Sequence, residues 1–256
     1  MNRRRTTIVA GTLLAFLIVV SLVANAAIIT TGLAGRWIFN EASGITAYDS
    51  SGFNDDGTLQ GAALFAADAA RGQVLLINGI SGLVGIPYNS RLEPFSGTVS
   101  VWVKPALATT ADIVQHRTET LLRCNKAVSA YAYGIRVYDT GMPMIQIAND
   151  DPKTCSKAPQ IVVYGSSNQV PLGKWTHLAM RWDGLGALNL FVNGKLAGKS
   201  SYNPNPTKGL SYSGNASVGV GSSLGNFEYN GSISDLRIYS RALSNTEIAN
   251  IALNQQ

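Results

Sequence analysis

Hydrophobic and polar positions alternate in short runs along most of this chain. The clearest run is Trp175 to Trp182, where Thr176, Leu178, Met180 and Trp182 share one face and Trp175, His177, Ala179 and Arg181 the other. That is the period of a half-buried strand. Leu188, Leu190 and Val192 repeat it, and Asn193-Gly194 can take the positive backbone angles of a two-residue turn, so a hairpin is expected between this strand and the next. Val99, Val101 and Val103 mark another strand, with Ser100, Trp102 and Lys104 on its opposite side. Further β runs are read at 35–40, 74–79, 83–87, 133–138, 144–148, 160–164, 217–221 and 233–239. Gly- and Asn-rich turns separate them and no helical period intervenes. This predicts an all-β, two-sheet antiparallel sandwich or jelly roll and excludes a βαβ fold. One short C-terminal helix is expected: Ser244-Asn245-Thr246-Glu247 is a capping box, Leu243 and Ile248 form its hydrophobic staple, and Ile248, Ile251 and Ala252 its buried stripe.

The first residues break this pattern. Arg3, Arg4 and Arg5 precede an apolar run from Ile8 to Val20, and Ala24-Asn25-Ala26 supplies small residues at a cleavage site. Residues 1–26 therefore read as a secretory signal, with an uncleaved anchor through residues 6–24 as the alternative. Both place one domain, residues 27–256, outside the cytoplasm: secreted, periplasmic or at the cell surface. The formal charge of +5 shrinks accordingly, since 17 basic residues then face 15 acidic ones. No basic run interleaved with aromatics remains, which excludes nucleic acid as a partner. In an exported chain the even pair Cys124 and Cys155 is most simply read as one disulfide, a reactive or metal-binding thiol being the alternative.

Chemistry is sparse. Asp55-Asp56 and Asp150-Asp151 are adjacent pairs whose side chains diverge in extended backbone, and both lie in turn-like contexts. Gly221-Ser222-Ser223-Leu224-Gly225 fits the nucleophile-elbow spacing, yet no His follows it. His177 sits within a strand as a structural residue. His116, near Asp112 and Glu119, leaves a metal grip and a plain polar loop both open. Aromatics beside amides occur in loops at Tyr202-Asn203, Tyr212 and Phe227-Glu228-Tyr229-Asn230, the composition of a weak sugar-binding surface.

Four segments in order carry a family resemblance: Gly35 to Gly44 running into Ala47 to Gly52 and Asp56 to Leu59; Val99 to Pro105; Gly173 to Gly194; and Asn230 to Ser244. From about Leu33 to its end the chain resembles the laminin-G-like, concanavalin A-like jelly-roll family of secreted bacterial proteins. The resemblance implies that fold. It also implies a structural Ca²⁺ held by Asp235 with carbonyls of Asn40 and Gly79, the alternative for Asp235 being a pair with Arg237. Some relatives cleave glycosides with a Glu-x-Asp-x-Glu strand, which this sequence lacks. The pattern departs from the family between Ile113 and Gln160. The function expected is an exported, non-catalytic module binding a carbohydrate or glycoconjugate. The alternatives are a structural or adhesive surface protein contacting other proteins, and a hydrolase or lyase with an unrecognised site.

Overall fold

A computed structural model of the chain describes residues 29–123, 126–148, 160–204, 210, 217–222 and 227–253. The leader, Cys124, Cys155 and Tyr212 lie outside the described residues. Among the described residues sixteen strands run in chain order: β1 (Leu33–Trp37), β2 (Thr46–Ala47), β3 (Gly57–Gln60), β4 (Leu64–Asp68), β5 (Gly72–Asn78), β6 (Leu83–Ile86), β7 (Gly97–Pro105), β8 (Ala111–Arg123), β9 (Lys126–Val137), β10 (Pro143–Ala148), β11 (Gln160–Tyr164), β12 (Thr176–Trp182), β13 (Ala187–Val192), β14 (Lys195–Ser201), β15 (Ser217–Val220) and β16 (Asn230–Tyr239). A short 3₁₀ turn at Ser90–Leu92 precedes β7, and α1 (Asn245–Leu253) follows β16.

The strands form two antiparallel sheets. The first runs β14-β13-β12-β7-β16-β5-β4, with β1 also paired to β16; the second runs β11-β10-β9-β8-β15-β6-β3-β2. Their inner faces meet in one core. Val99, Val101 and Val103 and the set Leu178, Met180 and Trp182 come from the first sheet. Val84, Ile86, Val114, Tyr133, Ile135, Val218 and Val220 come from the second. Trp182 stacks on Tyr133 across the gap with ring centroids 5.2 Å apart. The β12–β13 hairpin pairs Leu178 with Val192 and Trp182 with Leu188. At the following turn, Asn193 and Gly194 have φ of 49° and 74°, as a primed two-residue turn requires.

Strand β12 departs from the half-buried expectation, because His177 and Ala179 on its outer side are buried as well. Part of the reason is α1. Its Ile248 and Ile251, with Leu243, pack on Ala179, Phe191 and Tyr239 of the outer face. The capping box forms as expected: Ser244 N donates to Glu247 Oε2 (2.8 Å) and Glu247 N to Ser244 Oγ (3.2 Å).

A β-bulge in β8 governs what the second sheet presents outward. Asp112 pairs with Arg136 but Val114 already pairs with Ile135, so Ile113 is the extra residue. Without it Asp112 and His116 would share a face. With it His116 points to the core, tilted against Tyr133 at 4.9 Å, while Asp112 joins Gln115 on the outer face. The His116 and Asp112 side chains therefore diverge. Among the described residues no group of three His, Cys, Asp or Glu side chains could hold a metal ion.

Candidate ligand-binding site

The outer face of the second sheet carries a hydrogen-bonded polar row. Gln146 Nε2 donates to Gln115 Oε1 (3.2 Å), and Gln115 Nε2 donates to Asp112 Oδ1 (2.9 Å). Gly134, paired with Gln115, makes room for this row, since a Cβ there would collide with the Gln115 amide. Arg136 closes the row with a fork on Asp112: Nε to Oδ1 at 2.6 Å and Nη2 to Oδ2 at 3.1 Å. Partial burial works against the guanidinium charge, but the Asp112 carboxylate outweighs it and holds the Arg136 pKa above its ordinary value.

Aromatic groups stand on this row. The Arg136 guanidinium lies 4.1 Å from the centroid of the Phe227 ring, a cation–π contact. Phe227 nevertheless keeps 45% of its surface exposed and holds a φ of 58°, an uncommon conformation for a bulky residue. Its carbonyl accepts from Asp112 N at 2.9 Å, which ties the loop to the start of β8. Tyr138, just beyond β9, and Tyr164, at the end of β11, form a tilted ring pair with centroids 6.1 Å apart. Tyr164 is 47% exposed, and its hydrogen bond with Tyr138 raises its pKa.

Tyr138 also lines a cavity of about 170 Å³ at this end of the sandwich. Pro105, Val137, Val170, Pro171 and Tyr229 give it apolar walls, and Leu107 and Leu172 are exposed beside it. Thr109, Asp139, Thr140 and Asn168 supply polar groups. The lip is tied down by backbone bonds: Asn168 N donates to Thr140 O (2.9 Å), Val170 N to Gly141 O (2.9 Å) and Gly141 N to Tyr138 O (2.9 Å).

Of the loop residues expected to face a sugar, Phe227 is in this cluster and Asn203 is not placed in it. Tyr202 and Tyr229 are buried rather than displayed on the surface. Tyr202 is 7% exposed, its hydroxyl accepts from Gly184 N at 3.1 Å, and burial pushes its pKa up to about 12. Tyr229 is 2% exposed and its hydroxyl donates to Ser232 O at 3.3 Å. Both rings belong to the hydrophobic core; Tyr229 reaches the wall of the cavity, whereas Tyr202 does not line it. The sequence reading missed Arg136, Tyr138, Asp139, Tyr164 and Asn168. A usable signal was present in the strand-terminal tyrosines followed by turn formers, Asp139-Thr140-Gly141 and Gly165-Ser166-Ser167-Asn168.

Asp235 makes the pair with Arg237 that the sequence left open as the alternative to a calcium site. It sits at a bulge of β16 with φ of 49°, 1% exposed. Arg36 Nε donates to its Oδ1 at 2.8 Å, and Arg237 grips both oxygens, through Nε at 3.0 and 3.1 Å and through a short Nη2 contact to Oδ2. Two guanidinium groups thus hold the carboxylate, which acts as their counter-ion. Desolvation pushes its pKa up, and the two arginines outweigh that and leave it below the usual value. Asn40 is exposed, and Gly79, at φ of 77°, lies against the Asn230 side chain. Beside this cluster Arg71 stacks over Trp102 (4.4 Å) and Trp175 (5.2 Å), and His177 Nε2 lies 2.8 Å from Ser100 Oγ. With His177, Ser100, Asp235 and Arg237 all buried, this layer has the character of structure rather than of an open site.

The chain belongs to the concanavalin A-like lectin/glucanases superfamily, whose family model matches residues 78–249. A comparison with curated protein sequences finds no match. Among solved structures it is similar to domain 4 of AbnA, a GH43 extracellular arabinanase from Geobacillus stearothermophilus, in complex with arabinotriose. There the TM-score is 0.58 at 22% identity, over 86% of this chain and 98% of that one. It is also similar to the binding domain of botulinum neurotoxin DC in complex with SialylT (TM-score 0.63, 13% identity, 89% of this chain and 52% of that one). The same toxin domain in complex with rat synaptotagmin II gives a TM-score of 0.62 at 14% identity over 89% and 53%. The chain spans about half the length of these toxin domains, and likeness at such identities shows the fold.

Proposed function

We propose that this chain is an exported, non-catalytic binding module that holds a carbohydrate or glycoconjugate at the end of the sandwich where the second sheet meets the cavity. The observation that carries the reading is Phe227. One face of its ring rests on an arginine fixed by Asp112 and much of the ring stays in water, while Tyr138, hydrogen-bonded to the same arginine, pairs with Tyr164 and lines the cavity with its polar rim. An exposed aromatic on a rigid support next to convergent hydrogen-bonding groups is what sugar rings stack on, and the strained φ of Phe227 fits a residue held in place for use. Solved relatives of the fold in complex with arabinotriose and with SialylT support a glycan as the ligand class.

A binding role fits better than catalysis. Glycoside cleavage uses a pair of carboxyl groups across the bond. Here Asp112 is neutralised by Arg136, and Asp139 is the one carboxylate among the described residues that line the cavity, so no pair of carboxyl groups faces across it. The test is a glycan array probed with the domain from residue 27 onward. Binding to one glycan class, weakened about tenfold or more in Phe227→Ala and in Tyr164→Ala, is expected, since stacking of this kind is worth on the order of 1 kcal/mol or more. Silence across the array, or a hit indifferent to both substitutions, overturns the reading.

A further inference from the structure

The chemistry of the cavity narrows the ligand further, on the condition that the glycan reading above holds. At about 170 Å³ the cavity is well below the about 300 Å³ at which ligand pockets usually begin, so it has room for a single small ring rather than a stretch of oligosaccharide. Its walls, Pro105, Val137, Val170, Pro171 and the buried Tyr229, suit the apolar face of such a ring. Around the mouth, Asp139, Thr109, Thr140 and Asn168 are exposed, and their side chains make no hydrogen bond or ion pair within the described residues beyond those of their backbones. A carboxylate with both oxygens free accepts from two neighbouring hydroxyls at once, and charge-assisted bonds of this type are the strong ones.

The charges decide the class. Among the described residues Asp139 is the one acidic or basic side chain lining the cavity. Arg136, the nearest cation of the aromatic row, already spends its fork on Asp112, so the pair presents no net positive charge. Lys174, exposed in the turn beyond Leu172, does not line the cavity. A sugar carboxylate entering here would meet another carboxylate, and among the described residues lining the cavity there is no guanidinium to receive it, whereas sites that recognise carboxylates leave an arginine fork open.

We propose that this site takes the end residue of a neutral sugar chain, with the following residues on Tyr138, Tyr164 and Phe227, and that Asp139 is the residue that rejects carboxylated glycans. The experiment titrates the domain with matched neutral and carboxylated oligosaccharides: arabino-, xylo- and gluco-oligosaccharides against oligogalacturonates and sialyllactose. Asp139→Asn and Asp139→Lys are measured in parallel, and unchanged thermal melting of these surface variants verifies their fold. The expected result is binding of a neutral chain by the natural protein, weakened about tenfold in Asp139→Asn, with carboxylated chains gaining affinity in Asp139→Lys. Carboxylated chains binding as tightly as neutral ones, with loss in Phe227→Ala, would overturn the neutral class while leaving the glycan site standing. Neutral binding untouched in Asp139→Asn would remove Asp139 from its role. Absence of binding to both sets overturns the glycan reading and this inference together.

Discussion

At the scale of single residues, charge pairing separates structural from functional groups here. Asp112 and Asp235 are both buried acids gripped by arginines, but their settings differ. Asp112 fixes Arg136 beneath an exposed aromatic, so its effect is felt at the surface. Asp235 is the shared counter-ion of Arg36 and Arg237, both of them buried, and so supports the interior of the first sheet. Asp235→Ala leaves two buried guanidinium groups without their counter-ion, and losing one partner of a buried pair costs about 3–5 kcal/mol. Urea unfolding at neutral pH is expected to show a loss of that order, against a small change for Asp139→Asn. Equal, small effects for the two would mean that the Asp235 cluster is not supporting the fold.

At the scale of elements, the legible strands were those with an uninterrupted period. Strands β7, β11, β12 and β13 lie within a residue or so of where alternation put them, and the Ser244–Glu247 box placed the start of α1. Strand β8 was not legible. Its bulge at Ile113 breaks the period in mid-strand, and Asp112 reads with His116 and Glu119 as a metal grip or a polar loop until Arg136 is seen opposite it. The site was obscure for the same reason: Phe227 was visible as an aromatic in a loop, but its support comes from a strand about ninety residues earlier. Tyr202 and Tyr229 looked equivalent to it in sequence, and only packing tells them apart.

Burial on both faces also gives β8 and β12 a shared titration behaviour. Desolvation pushes the pKa of His116 on β8 down to about 3, and the same cause, reinforced by Arg237, pushes His177 on β12 down to about 3. In the unfolded chain each takes a proton near pH 6.5. Between those values the unfolded state binds protons that the folded state refuses, so their contribution is intact above about pH 6.5 and drains as pH falls toward 3, by about 1.4 kcal/mol per pH unit for each histidine. Asp68 and Glu247, both lowered to about 2, add their loss only below the ordinary carboxylate range. Urea unfolding from pH 7 to pH 5 should therefore show falling stability, with a shallower slope in His177→Asn. A flat profile over that interval would contradict the neutral, buried state of these histidines.

At the scale of the whole molecule, the two sheets divide the work. The first is covered outside by α1 and by the layer of Arg36, Arg71, Asp235 and Arg237, and serves as the rigid wall. The second carries a buried polar row with the exposed rings of Phe227 and Tyr164 on the same side, and ends at the cavity, where β7, β9 and the loop after β11 converge. The most direct measurement is an NMR titration of the labelled domain with an array-positive oligosaccharide, following backbone amides. Saturable shifts clustered at 138–141, 164–169 and 227–229, with residues around Trp102 and Trp175 quiet, are the predicted result. Shifts centred on Trp102 and Trp175, with the cavity end silent, would contradict it.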